Sequence, residues 1–373
     1  MSGQKTYSIL IAGDHYMQPA YIEKIIRDRL GPTLAARFSF ASIVFPYPEE
    51  NIALEDDTVV PSGMSWTDFT KPARGEGVEE FYGDLNALQG HLAGVHILLV
   101  HGAAVPASVL REARNLKCIG ILRGGPRNID LKTARDLGIK LINTPGKTSR
   151  AVAEFTLGGL LSLTRNVAHA YTSLRDGRNW APSYYRWERC GIELKDRTLG
   201  LIGFGHIGEE LARMLASFGF GRIVAHDPFR NPNDLRRLGV EPVAFETILA
   251  EGDVISLHAR LTPLNRHMLG AGEFATMRKK PIIVNTARGG LLDYAALIAA
   301  LESGRLSGAV LDVFGDEPVR AWRGLLAMPN VICTPHVAGG SRETVRRAAE
   351  MIAEDLANFL RRAPLRYEMG WEA

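Results

Sequence analysis

The apolar run Thr198-Leu-Gly-Leu-Ile202 passes directly into Gly203-Phe-Gly-His-Ile-Gly208 and then into a segment with helical periodicity through Leu215. No other stretch restricts the fold as much. Each glycine has its own reason: Gly203 admits a tight turn, Gly205 lets the backbone approach a pyrophosphate, and Gly208 lets helix and strand pack closely. The helix start presents free N–H groups and a positive partial charge to phosphate. Nineteen positions after Gly208, Asp227 closes the run Arg222-Ile-Val-Ala-His-Asp227. A carboxylate there accepts hydrogen bonds from an adenosine ribose and repels a 2′-phosphate, so NAD is expected rather than NADP. Arg230, three residues on, tempers that preference. Taken alone the glycine pattern is weak, and Asp227 would be an ordinary helix cap. Here the strand before, the helix after and the acid downstream all agree.

The rest of the chain repeats the same alternation. Strands are predicted at Ser8–Ala12, Phe38–Phe45, Ile97–Val100, Ile119–Leu122 and Lys140–Ile142, with helices at Tyr21–Leu30, Ala107–Ala113 and Leu131–Leu137. A second series has strands at Leu199–Ile202, Arg222–Ala225, Val254–Leu257, Ile282–Val284, Ala309–Leu311 and Val331–Cys333, with helices between most of them. Such βα alternation implies parallel sheets with helices on their faces, and six strands suit a doubly wound dinucleotide-binding sheet. The turn Asn143-Thr-Pro-Gly146, followed by a long apolar helix over Ala151–Val167, marks a change of domain. The last helix, Arg342–Leu360, carries Val345, Ala349, Ile352, Leu356 and Phe359 on one stripe, which is simplest as core packing. Pro46–Gly77 is polar and dotted with Pro and Gly, as a loop is. Asp176–Gly191 is rich in Trp, Tyr and Arg and reads equally as an exposed arm at a subunit contact or a surface loop pinned by aromatics.

Composition narrows the class. At 373 residues there is room for two full cores, and 46% apolar with 23% charged residues is ordinary for a soluble globular protein. A net charge of +3 argues against an obligate nucleic-acid binder and suits small anionic ligands. Cys118, Cys190 and Cys333 show neither disulfide nor metal spacing. The first ten residues lack the apolar core of a signal peptide, and no apolar run is long enough to cross a membrane. A cytoplasmic protein with no metal, membrane or nucleic-acid partner is expected.

Three further stretches carry chemistry: Asn285-Thr-Ala-Arg-Gly-Gly290, Asp312-Val-Phe-Gly-Asp-Glu-Pro318 and Thr334-Pro-His-Val-Ala-Gly339. Each follows a predicted strand, and open parallel sheets place ligands beyond the carboxyl ends of their strands. Arg288, Asp312, Glu317 and His336 therefore fall on the same sheet edge as the glycine fingerprint. Arg288 can pair with a substrate carboxylate and polarise the adjacent carbonyl, because guanidinium is always charged and forked. His336 can give or take a proton near neutral pH, and a carboxylate at Glu317 would favour its imidazolium and fix its tautomer. Asp312 can accept a hydrogen bond from a nicotinamide carboxamide. Each of these alone is more often a surface or capping group; three together after a dinucleotide fingerprint reverse that.

At these residues the sequence resembles the D-isomer-specific 2-hydroxyacid dehydrogenases, the family of phosphoglycerate dehydrogenase and glyoxylate/hydroxypyruvate reductase. The resemblance runs from about Ile97 to His336 and into the last helix. It implies an α/β fold of two doubly wound parallel-sheet domains: a flavodoxin-like substrate domain, residues 1–149 plus 338–373, and an inserted Rossmann NAD-binding domain, residues 150–337. It implies that Arg288, Glu317 and His336 are catalytic. It also implies that His206, Ile207, Asp227, Arg260, Thr286 and Asp312 line the NAD. The implied activity is NAD-dependent interconversion of a small D-2-hydroxy acid and its 2-keto acid in a homodimer; an NAD(H)-sensing corepressor or a structural binding protein of the same fold is the alternative. Formate dehydrogenases resemble the chain less, having Gln at the position of Glu317, and no regulatory domain is expected after the last helix.

Two departures stand out. Leu122-Arg-Gly-Gly-Pro-Arg-Asn-Ile-Asp130 replaces a loop whose backbone N–H groups hold the substrate carboxylate in many relatives. Gly124 and Gly125 keep the loop flexible, Pro126 has no N–H to give, and Arg127 adds a side-chain donor; a larger polar acid would fit such a change. Arg260, in His258-Ala-Arg-Leu-Thr262, stands where relatives commonly have proline.

Overall fold

Short apolar runs supply the inner strands, and five of them (Ile97–Val100, Cys118–Ile121, Val254–Leu257, Ile282–Asn285 and Gly308–Leu311) are buried along their whole length. The computed structural model describes residues 6–45, 77–78, 81, 83–177, 180, 182–317 and 323–370. The loop expected over 46–77 lies almost wholly outside these residues, as does Pro318. The chain divides into two units, Met1–Lys147 with Ser341–Ala373, and Thr148–Gly340. The divisions fall a few residues from the expected domain limits.

The first unit contains β1 (Tyr7–Asp14), α1 (Pro19–Ala35), β2 (Phe38–Phe45), β3 (Ile97–Val100), α2 (Ala107–Glu112), β4 (Cys118–Ile121), α3 (Leu131–Asp136), β5 (Lys140–Ile142) and the C-terminal helix Arg342–Arg361. Its strands pair in parallel in the order β2-β1-β3-β4-β5, the flavodoxin-like order. Every residue of β3 and β4 is buried, as both faces are covered. On one face Ile22 and Ile26 of α1 join Val345, Ala349, Ile352 and Leu356 of the C-terminal helix, the expected stripe. On the other lie Val109, Leu110 and Ala134. Helix α1 extends beyond the expected Leu30 by kinking at Gly31-Pro32.

The second unit opens with α4 (Ser149–Thr164) and α5 (Val167–Arg175), followed by β6 (Thr198–Ile202), α6 (His206–Leu215), β7 (Arg222–His226), α7 (Pro232–Arg237), β8 (Glu241–Pro242) and α8 (Phe245–Glu251). It continues with β9 (Val254–Leu257), α9 (Ala271–Thr276), β10 (Ile282–Asn285), α10 (Tyr294–Glu302), β11 (Gly308–Leu311), α11 (Arg323–Ala327) and β12 (Val331–Cys333). All seven strands are parallel, ordered β12-β11-β10-β9-β6-β7-β8, so chain progression reverses between β6 and β9. Two expectations are corrected. The seventh strand, β8, is two residues long and carries no periodicity to read. The single helix expected over Ala151–Val167 is interrupted, because Asn166 takes a left-handed conformation (φ 58°) between α4 and α5. Among the described residues no helix is long and apolar enough to cross a membrane, and no group of three or more His, Cys, Asp and Glu is arranged to hold a metal.

Candidate active site

The turn after β6 is built by close approach. Gly203 has φ +89°, and a Cβ on it would stand 2.5 Å from Ala259 N and 2.7 Å from His258 C, in the turn after the neighbouring β9. Only glycine fits there. Gly205 is the N-cap of α6, with no side-chain cap and, among the described residues other than its chain neighbours, nothing within 4 Å of its missing Cβ. The first backbone bond of α6 is Glu209 N–H to Gly205 O (3.0 Å), so the N–H groups of His206, Ile207 and Gly208 are left for a ligand. Gly208 packs helix onto turn, since its Cβ would lie 2.9 Å from Gly203 O.

Asp227 does more than its spacing suggested. Its Oδ2 accepts the Phe204 N–H (2.7 Å) and its Oδ1 the Phe229 N–H (2.9 Å), so the carboxylate braces the glycine turn. Each oxygen keeps acceptor capacity for a ribose hydroxyl. Arg230, the cation that would favour a 2′-phosphate, instead reaches Glu209 on α6 at 3.3 Å. Cradle, uncapped helix start and carboxylate together fit a dinucleotide lacking that phosphate. Arg260 is exposed on the loop after β9, with its carbonyl accepting from Asn265 Nδ2 (2.8 Å). Thr286 is buried, and its hydroxyl lies 3.1 Å from that of Thr156 on α4.

Arg288, Glu317 and His336 come together at the carboxyl ends of β10, β11 and β12. Buried Asn285 shapes the first turn, accepting from Ala287 N–H (3.1 Å) and donating to Arg288 O (2.9 Å). Arg288 is exposed and donates to Ala287 O (2.7 Å), which among the described residues leaves further guanidinium N–H groups for a ligand. Next in the chain, a Cβ on Gly289 would overlap the carbonyl of Phe314. This contact presses the arginine turn against the segment that carries Glu317, a role for the second half of the Arg-Gly-Gly motif that spacing did not reveal.

Glu317 Oε1 accepts the Phe314 N–H (2.9 Å), and its Oε2 lies 2.8 Å from His336 Nδ1. Burial works to raise the Glu317 carboxyl, but the bond to His336, the Phe314 N–H and the charge of Arg288 hold it below its ordinary value. The bond to Glu317 raises the imidazole of His336 above 6.5, against burial and Arg288. With Nδ1–H donated to the carboxylate, Nε2 is the position that exchanges a proton.

His336 has φ +55°, a left-handed conformation costing a non-glycine residue roughly 1–3 kcal/mol. Asp312 holds it there. At 0% exposure, its Oδ1 accepts from Thr334 Oγ1 (2.7 Å) and Val337 N–H (2.9 Å), and its Oδ2 from Ala338 N–H (2.8 Å). The sequence suggested only a cofactor contact for this carboxylate. The structure makes it the anchor of the histidine loop.

Against known proteins, the chain is 40% identical over 268 residues to a hydroxypyruvate reductase of Thermotoga maritima, covering 70% of this chain and 84% of that one. It belongs to the D-isomer specific 2-hydroxyacid dehydrogenase family. The model of the family's NAD binding domain matches residues 157–338, which lie within the second unit. A D-3-phosphoglycerate dehydrogenase of Archaeoglobus fulgidus is 37% identical over 265 residues, covering 70% of this chain, but the match spans only 49% of that longer relative. The structure of apo D-lactate dehydrogenase from Escherichia coli aligns with a TM-score of 0.69 at 27% identity, over 97% of this chain and all of that one.

The loop that departs from the family pattern lies in the first unit. Among the described residues, chain neighbours aside, no atom lies within 4 Å of the positions where a Cβ would stand on Gly124 and Gly125, so neither is packed against another segment. Fully buried Asn128 pins the loop, with Nδ2 donating to His101 O (3.1 Å) and Ala103 O (2.7 Å). Asp130 caps α3 through Thr133 N–H (2.6 Å).

Proposed function

We propose that the chain catalyses the NAD-dependent interconversion of a small D-2-hydroxy acid and its 2-keto acid. The observation that carries this is the Glu317–His336 pair at 2.8 Å, with the charge of Arg288 acting on both members. Bound NAD(H) supplies or accepts the hydride. Arg288 pairs with the substrate carboxylate and stabilises the charge that develops on the carbonyl oxygen in reduction. His336 delivers its Nε2 proton to that oxygen, or removes it in oxidation, while Glu317 keeps the ring oriented and charged. Gly203, Gly205, His206, Ile207, Gly208, Asp227, Arg260, Thr286 and Asp312 are assigned to the cofactor, and Gly124, Gly125 and Arg288 to the substrate. The test is oxidation of NADH over a panel of 2-keto acids; no turnover with any of them would refute the proposal.

Two variants probe the assignments. Arg288→Ala is expected to lower kcat/KM by about 10²–10³-fold through loss of a charged donor. Arg288→Lys should recover little of it, because an ammonium does not reproduce the two-pronged guanidinium. Full activity in Arg288→Ala would remove Arg288 from the reaction, and full activity in Arg288→Lys would show that a cation suffices without the two-pronged geometry. Asp227→Ser should weaken NADH binding by roughly 10-fold or more, from the loss of hydrogen bonds to a charged acceptor, and narrow the preference over NADPH. Fluorescence titration with both nucleotides measures this, and an unchanged preference would contradict it.

We also infer a cytoplasmic homodimer. Trp180, Tyr185 and Trp187 are 78%, 90% and 88% exposed on the segment after α5, a concentration of bare aromatic surface that suits a partner subunit. Sedimentation of a monomer at micromolar concentration would argue against it.

A further inference from the structure

In the second unit a buried phenol lies one peptide group away from the Glu317–His336 pair. Tyr294 opens α10, whose start is fixed by Asp293 accepting the Ala296 N–H (3.1 Å). The tyrosine is 3% exposed and belongs to the core, with its ring centroid 6.0 Å from that of Phe314. Its Oη donates to Val313 O. A Cβ on Gly315 would stand 3.7 Å from the same ring. Tyr294 thus lies along Val313, Phe314 and Gly315, the segment that leaves β11 and carries Glu317.

Val313 O and Phe314 N–H belong to one peptide group. That group is planar and trans, so its carbonyl and its N–H point opposite ways and cannot turn separately. The carbonyl accepts from Tyr294, and the N–H donates to Glu317 Oε1 (2.9 Å). Glu317 Oε2 then meets His336 Nδ1 (2.8 Å). A continuous run of hydrogen bonds leads from the phenol, through one peptide plane and one carboxylate, to the imidazole. Among the described residues, the bonds to Phe314 N–H and His336 are the hydrogen bonds that hold the Glu317 carboxylate. Packing alone asks only for a ring at position 294, and phenylalanine would supply it without a hydroxyl in need of a partner.

We propose that Tyr294 is a positioning residue: its hydroxyl fixes the Val313–Phe314 peptide group, whose N–H orients Glu317 against His336. The role of His336 rests on the dehydrogenase reading above; the run of hydrogen bonds does not. Burial, with Glu317 and Cys333 beside it, raises the phenol above its ordinary value, so it remains a donor while His336 titrates. The other charged groups acting on His336 are Arg288 and Asp312, each on its own turn. Losing the hydroxyl has two opposed effects. A weaker Phe314 N–H leaves more charge on the carboxylate, which favours the imidazolium. A peptide group free to rotate lets the carboxylate leave Nδ1, which disfavours it. Displacement wins, because polarisation changes a bond by about 10–30% whereas displacement removes it.

The test is Tyr294→Phe, which keeps the ring against Phe314 and removes one hydroxyl. A single lost bond is small against the stability of a domain, and equilibrium unfolding verifies that the variant is folded. The His336 imidazole is followed by NMR on protein with ¹⁵N-labelled histidine, its resonance identified by its absence from His336→Asn. In Tyr294→Phe its pKa should fall below the wild-type value, less far than in Glu317→Gln. With it kcat for keto-acid reduction should fall by about 10-fold, as for a displaced catalytic group, and its pH limb should move to lower pH. Added to Glu317→Gln, the tyrosine substitution should move the imidazole no further, because the charge through which Tyr294 acts is already gone. Should Tyr294→Phe fail to fold, Tyr294→Met also removes the hydroxyl and carries the same expectations. An imidazole pKa at or above the wild-type value, or an unchanged kcat profile, would overturn the proposal. So would a further fall of the same size in the Glu317→Gln background, since Tyr294 would then reach His336 by another route. Turnover of no 2-keto acid by the wild type would instead refute the dehydrogenase reading, and the imidazole titration, which needs no turnover, would still decide whether Tyr294 positions the pair.

Discussion

Asparagine in place of His336 is expected to lower kcat for keto-acid reduction by about 10²–10⁴-fold, the usual contribution of a positioned general acid. Asparagine is the informative replacement because it tolerates the left-handed backbone at this position (φ +55°) better than most residues. Loss of the imidazole is then separated from collapse of the loop. Binding of NADH should persist, since the glycine turn and Asp227 are braced by their own hydrogen bonds. Because Glu317 raises the His336 imidazole above 6.5, the proton donor is present below that raised pKa and lost above it. Reduction therefore falls as pH rises through the pKa, and oxidation, which needs the neutral ring, rises over the same interval. In Glu317→Gln the stabilising charge is gone, the pKa falls, and both limbs should move to lower pH. Profiles of kcat/KM in the two directions measure this. A shift to higher pH, or near-normal turnover in His336→Asn, would exclude the assigned acid–base role.

What the sequence made legible was local. The strands Phe38–Phe45, Ile97–Val100, Val254–Leu257 and Val331–Cys333 were visible because they are short apolar runs bounded by breakers. The Arg, Glu and His were visible because each follows such a run. What brings them together is register, which no local pattern carries. Asn285 stands opposite Leu311, and Leu311 opposite Cys333. Three residues beyond these partners come Arg288, Phe314 and His336, so the segments meet side by side. The contact of Gly289 with Phe314 and the bonds of Asp312 to the loop after β12 exist only across that register. The bracing of the glycine turn by Asp227 likewise depends on pairing of β6 with β7. The break between α4 and α5 was hidden for a different reason: the apolar pattern runs through it, and the left-handed backbone of Asn166 interrupts the helix.

The same register gives the second large effect. In Asp312→Asn one carboxylate oxygen becomes an amide nitrogen, which donates and cannot accept. Either Ala338 N–H, or Thr334 Oγ1 together with Val337 N–H, then faces a donor instead of an acceptor. A charge-assisted bond is lost and a buried donor is left unpaired, so a loss of about 2–4 kcal/mol in stability is expected. Denaturant unfolding with the slope m held as a check measures it. The effect on catalysis should exceed what stability explains. The anchor that holds His336 in its strained backbone is weakened, and the ring can leave its 2.8 Å contact with Glu317. At a temperature where the variant is fully folded, kcat should still fall by about 10-fold or more, as for a misplaced catalytic group. Thr334→Val provides the comparison. It removes one hydroxyl bond and spares both backbone bonds, so its cost should stay near 1 kcal/mol, with a smaller effect on kcat. If Asp312→Asn were no less stable than Thr334→Val and turned over as fast, the loop would be held by its own turn geometry, and Asp312 would have no part in positioning the histidine.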